Sequence, residues 1–215
     1  MGSKLYSVEM VIKDLGAQVE SVWEGLRPMT KKLLVGALQS PGISLTPSPA
    51  QQFFYDARAD WEVSRLLSAL DKQSVADRAS SRKAMNDEVQ RLAETCVRVL
   101  EHRSASAGVF IQLAERAIKK HDYKNLDKLA DVLAERYASA EIAEIVRQTE
   151  LAQIRAIAYE TLAMLPVSSV APLLDDPLYS DIAANALEQK AFEYESEEAR
   201  EVLEQFENTF DAREE

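Results

Sequence analysis

One cysteine, Cys96, stands in 215 residues, so no disulfide can close within the chain. A lone thiol, with no secretory leader pattern at the start, points to a reducing compartment, and the cytoplasm is the expected location. Glycine and proline are scarce as well, at six and seven residues. That scarcity argues against a turn-rich β architecture and against a disordered chain. Histidine is the scarcest ionisable residue after the lone thiol, with only His102 and His121. Neither follows a Glu by three residues and the two do not form a His-x-x-x-His pair, so the common helical metal-ligand spacings are missing. No Gly-x-Ser-x-Gly elbow, P-loop or Gly-x-Gly-x-x-Gly occurs either, and no catalytic, metal or cofactor residue is assigned.

Long hydrophobic runs are also missing. The stretch from Leu33 to Tyr55 carries no charge, but Pro41, Gly42, Pro47 and Pro49 interrupt it among serines and threonines. It reads as a loop between helices, and no membrane span is expected. Met1–Ser3 reads as a start scar and does not enter the fold argument.

What the chain does have is alanine, leucine and charge, with 28% Asp, Glu, Lys and Arg and a net charge of −11. From Pro166 onward there are 14 acidic residues against three basic ones, so the whole excess lies in the last quarter. A field of that sign opposes nucleic-acid phosphate and favours a basic protein partner or simple solubility.

The apolar spacing is helical throughout. Leu5, Val8, Ile12, Leu15, Val19, Val22, Trp23 and Leu26 recur at three and four residues and predict one amphipathic helix, broken at Arg27-Pro28. Met29, Leu33, Leu34, Ala37 and Leu38 predict a second helix, closing an N-terminal hairpin over 4–39. Residues 40–49 form the Pro/Ser-rich boundary. Ser48-Pro49 is expected to open a helix whose aromatic-rich stripe runs through Phe53, Phe54, Tyr55, Trp61, Leu66, Leu67 and Leu70. That stripe is expected to pack into the core. Further helices are expected over 77–102, 105–120, 123–137 and 140–148, with Cys96 buried beside Leu92, Val99 and Leu100 as a structural thiol. Short joints make antiparallel neighbours the expected packing.

Residues 154 to 165 carry the best-patterned helix: Ile154, Arg155, Ala158, Leu162 and Leu165 share a face. Pro166 breaks it, Val170, Leu173 and Leu174 follow, Asp175-Asp176-Pro177 makes a turn, and Ala183, Ala186 and Leu187 begin another helix. Over 151–190 this resembles HEAT-like helical repeats. The resemblance implies stacked helix pairs that present a surface to a protein partner. The fold expected is all-α: an irregular helical bundle or a short α-solenoid of antiparallel helix pairs, HEAT-like in its C-terminal half, with 50–215 a single array.

The functional expectation is a non-enzymatic interaction or scaffold module, for which a homo-oligomer is compatible. A terminal acidic helix from Asp181 to about Phe210 supplies the candidate partner-binding residues Tyr194, Val202, Phe206 and Phe210; the same helix could instead cap the array. The competing class is a small-ligand binder or enzyme with an inter-helix pocket lined by Phe54, Tyr55, Arg58 and Trp61. Carboxylates repeat every four residues at Asp127, Asp131, Glu135 and at Glu193, Glu197, Glu201, and both sets read as solvated faces rather than acid/base pairs. A basic stripe of Arg116, Lys120, Lys124 and Lys128 would need helix to run unbroken through His121-Asp122, so nucleic-acid binding is the least favoured class.

Overall fold

The computed structural model describes residues 12–13, 15–39, 55–78 and 83–214, the side chains of 75–78, 83–86, 207 and 209–214 excepted. The described residues are all-helical, with no strand among them. The Pro/Ser segment 40–49 lies outside them. The chain gathers into two compact units, Met1–Ser104 and Ala105–Glu215.

Unit 1 contains α1 (Ala17–Glu24), α2 (Pro28–Gln39), α3 (Ala57–Arg78) and α4 (Lys83–Arg103). The long helices α3 and α4 pack on each other, α1 lies on α3, and α2 lies mainly on α4. Ile12, Leu15, Val19, Trp23 and Leu26 are all buried, as the spacing predicts. The single helix expected across them is nevertheless broken. Leu15 N–H turns back to the Ile12 carbonyl, and Gly16 follows at φ 108°. Only glycine adopts that conformation without strain, and a Cβ there would lie 2.9 Å from Gln73 Oε1. Helix α3 also starts later than expected. Tyr55 and Asp56 are not helical, and the Asp56 carboxylate caps the helix by accepting from Ala59 N–H at 2.8 Å. Its core stripe is Ala59, Val63, Leu66, Leu67 and Leu70, facing Val89, Leu92, Cys96, Val99 and Leu100 on α4. Cys96 is buried, as expected.

Unit 2 contains α5 (Ala107–Lys119), α6 (Tyr123–Arg136), α7 (Ser139–Gln148), α8 (Ala152–Met164), the single turn α9 (Val167–Val170), a 3-10 turn (Ala171–Asp175), α10 (Ser180–Glu193) and α11 (Glu197–Glu214). Consecutive helices pack, α5 on α6 and α7 on α8. Helices two apart pack as well: α5 on α7, α6 on α8, and α8 on α10. This alternation is what stacked helix pairs produce. Small residues make the close approach feasible, since Ala143, Ala158, Ala163, Ala183 and Ala186 are fully buried beside Ile142, Ile154, Leu162 and Leu187.

The joints of unit 2 have legible causes. After α5, His121 takes φ 55°, its N–H bonds the Ile118 carbonyl at 3.0 Å, and Asp122 N–H bonds the Ala117 carbonyl at 2.9 Å. This is a Schellman stop with histidine where glycine is usual. Asp122 then caps α6 through Asn125 N–H. The break separates Arg116 and Lys120 from Lys124 and Lys128, so the basic stripe does not form on one helix. The terminal helix expected to run unbroken from Asp181 is likewise two helices, α10 and α11. Glu195 takes φ 52° and the Ser196 hydroxyl accepts from Ala199 N–H at 3.3 Å. Glu193 therefore does not share a helix with Glu197 and Glu201.

Candidate functional site

Two places hold the residues that the sequence singles out. The first is the start of α3, where the chain places an acid inside its own apolar stripe. Glu62, three residues after Ala59 and four before Leu66, is only 1% exposed. Arg27, arriving from the α1–α2 joint, reaches both its oxygens from Nε at 3.1 and 3.2 Å. The Thr30 hydroxyl donates to Glu62 Oε2 at short range, and Arg58 Nε lies 3.5 Å from Oε1. The other edge of the Arg27 guanidinium grips Asp56, Nη1 to Oδ2 at 3.0 Å and Nη2 to Oδ1 at 2.6 Å. Arg27 thus bridges two carboxylates with its planar fork, a geometry lysine cannot supply. The Arg27 bonds, helped by Ala59 N–H, hold the Asp56 carboxyl well below the usual carboxylate range.

Tyr55 is half-buried beside this knot. Its hydroxyl donates to Asp60 Oδ1 at 2.6 Å, while Ser104 Oγ donates to Asp60 Oδ2 at 2.9 Å. Burial, then the neighbouring Asp60 charge, pushes the Tyr55 hydroxyl well above its ordinary range. Trp61 does not join the core: it is 58% exposed, and Arg65 covers its ring at 5.2 Å from the centroid. The pocket residues expected from sequence are thus brought to one end of α3, except Phe54, which lies outside the described residues. Their polar groups pair with neighbouring carboxylates instead: Tyr55 with Asp60, and Arg58 with Glu62. Glu62, Arg27 and Thr30 are not among the residues that sequence reasoning selects. The available signal is a glutamate at a core position of an otherwise apolar stripe.

The second place is the C-terminal end of unit 2. Lys190, in the last turns of α10, donates from Nζ to the Ala163 carbonyl in the last turn of α8 at 2.9 Å. The last turns of two packed helices therefore lie side by side. Each has a solvent face at helical spacing. On α8 it is Gln153, Ala156, Glu160 and Met164, and on α10 it is Asp181, Asn185, Glu188 and Phe192, all exposed. Both faces end on a large apolar side chain, Met164 at 60% and Phe192 at 80% exposure. In both, a glutamate stands one turn earlier. Tyr194, 47% exposed, follows just beyond, with Lys190 Nζ 5.8 Å from its ring centroid.

Helix α11 folds back on α10, burying Ala199, while Val202 and Phe206 are half-buried and the Phe210 side chain lies outside the described residues. Arg200 secures the turn, with Nη2 on the Ala191 carbonyl at 3.1 Å and Nη1 on Glu197. Sequence reasoning selects Tyr194, Val202, Phe206 and Phe210 but neither Met164 nor Phe192. A large apolar residue closing an exposed, mostly polar series at steps of three and four is the signal for both.

Elsewhere in unit 2, Glu144 collects Arg147 at 2.6 and 2.5 Å, Gln148 Nε2 at 2.5 Å and the Tyr179 hydroxyl at 3.0 Å. The Arg147 bonds, then those from Gln148 and Tyr179, outweigh its partial burial and hold the carboxyl at about 2. Asp127, Asp131 and Glu135 are all exposed on α6, as a solvated face requires. Among the described residues, no three His, Cys, Asp or Glu side chains gather as a metal site, and no helix is long and apolar enough to cross a membrane. No protein-family model, curated protein or solved structure matches the chain.

Proposed function

We propose that this protein is a non-enzymatic interaction module, in which stacked helix pairs of HEAT-like character hold a surface for a protein partner. The observation that carries the reading is the outer face of α8 and α10, where Met164 and Phe192 stand exposed at neighbouring helix ends. A large aromatic left in water among carboxylates forgoes about 1.5–3 kcal/mol of available burial, and a partner recovers it. The alternating packing of unit 2 supports the same reading, because stacked pairs fix such a face rigidly over several helices. The lone, buried Cys96 fits a cytoplasmic setting.

Capture from native lysate tests the reading, with the full chain as bait and the retained proteins quantified by mass spectrometry. One or a few proteins held near one-to-one with the bait are expected. A bait that retains no protein above the blank matrix, in lysates from several growth conditions, removes the interaction reading.

A further inference from the structure

Resting on that interaction reading, we infer that the outer face of α8 and α10 is a docking surface for a basic amphipathic helix, which seats two apolar side chains on Met164 and Phe192. Lys190 Nζ reaches the Ala163 carbonyl, so Met164 and Phe192, the exposed apolar residues next to that bond, stand at the ends of two packed helices, whose axes lie about 8–10 Å apart. A helix lying across them presents side chains seven residues apart on one face, separated by about 10 Å. Apolar residues repeated along that face let one helix reach both anchors.

Charge then selects the partner. Glu160 stands four residues before Met164, and Glu188 four residues before Phe192, each on the same exposed face as its apolar neighbour. Glu193 and Glu195 flank Phe192 and are exposed too. The nearby cations are engaged: Lys190, half-buried, donates to the Ala163 carbonyl, and Arg200 donates to the Ala191 carbonyl and to Glu197. An incoming helix therefore meets two apolar footholds bordered by four carboxylates. Lysines or arginines one turn from its apolar residues pair with them, whereas an acidic helix is repelled. The same carboxylates disfavour a second copy of this surface, since like would face like.

The test uses a fluorescein-labelled peptide of about 18 residues, with leucine at i, i+3, i+4 and i+7 spacing and lysine or alanine elsewhere, titrated with the full chain by fluorescence anisotropy. A second peptide replaces every lysine by glutamate. The lysine peptide is expected to bind at least about tenfold tighter than the glutamate peptide. Met164→Ser with Phe192→Ser is expected to weaken it about tenfold or more. Glu160→Gln with Glu188→Gln is expected to weaken it severalfold and flatten its salt dependence. Tyr123→Ser, which removes an aromatic 57% exposed at the start of α6, is expected to change nothing. Circular dichroism confirms that each variant folds; the substituted residues are exposed. Equal binding of the two peptides, or unchanged binding by the Met164/Phe192 variant, overturns the inference. If lysate capture still retains a stoichiometric partner on that variant, the interaction reading survives and this assignment of its surface falls. If the full chain captures no partner, the interaction reading itself falls.

Discussion

The two units solve the same problem, satisfying polar groups within packed helices, in different ways. Unit 1 takes a carboxylate into the core: Glu62 sits in the α3 stripe, and Arg27, Thr30 and Arg58 surround it. Unit 2 sets charged side chains against its helix ends. Glu141 accepts from Ala107 N–H at the start of α5, Arg155 donates to the Thr149 carbonyl after α7, Lys190 to Ala163 at the end of α8, and Arg200 to Ala191 at the end of α10. Each of these has the sign that the helix dipole favours, acid at the N-terminus and base at the C-terminus. Unit 1 uses the end-capping device too, at Asp56 and through Arg98 on the Ala37 carbonyl, and adds the buried knot. The contrast shows where specificity lies. A buried carboxylate with three partners tolerates one arrangement of α2 and α3, whereas small-residue packing with charged caps can be repeated from one helix pair to the next.

Removing the knot separates the two units most clearly. Glu62→Ala leaves Arg27 Nε and the buried Thr30 hydroxyl without this acceptor, while Asp56 still holds the other edge of Arg27, and is expected to cost about 2–5 kcal/mol. Urea unfolding checks the size, and faster amide exchange confined to α1–α3 checks the place. A loss below about 1 kcal/mol would mean that the knot contributes little to holding unit 1. Leu162→Ala makes the matching cut in unit 2, where the side chain is fully buried. Deleting it is expected to cost about 2–5 kcal/mol, toward the lower end if the neighbouring small residues let α8 and α10 settle into the space. Its exchange signature should appear in α7, α8 and α10 instead.

A smaller effect comes from acid. The Glu144 carboxyl is lowered from its ordinary 4.5 to about 2 by Arg147. A depressed folded-state value means that its contribution is fully present above about pH 4.5 and is lost as pH falls towards 2. Thermal melting of the wild type against Glu144→Gln should therefore show the widest gap near neutral pH, narrowing through that window. A gap independent of pH would show that Glu144 acts through shape alone. Tyr179, whose hydroxyl is raised by burial and by the bond to Glu144, stays protonated across the whole range and cannot produce the effect.

Much of the architecture is legible in the chain. The stripes through Leu15, Val19 and Trp23, through Leu66, Leu67 and Leu70, and through Ile154, Ala158 and Leu162 are buried as helical spacing demands. The joints are harder. His121 and Glu195 both adopt left-handed backbone, and neither residue type announces that as glycine does. At the second joint, Ser196 followed by Glu197 and Glu198 is a readable N-cap with an acidic first turn, masked because apolar residues continue on both sides. Trp61 misleads for another reason. It lies beside the core stripe of α3 rather than within it, and Arg65 gives its ring a partner outside the core.

The candidate surfaces are legible only in part. Tyr194 can be named from sequence, yet its neighbourhood with Met164 depends on Lys190 reaching across to α8. Glu62 can be noticed as an intruder in an apolar stripe, but nothing local says that Arg27, 35 residues earlier, will meet it. The helical class, the core faces and the gathering of negative charge beyond Pro166 follow from the order of residues alone, because periodicity and composition need no third dimension. Where α10 ends, that the last turns of α8 and α10 meet, and which apolar side chains remain in water are settled by packing. Those outcomes depend on contacts between residues far apart in the chain, which local spacing does not encode.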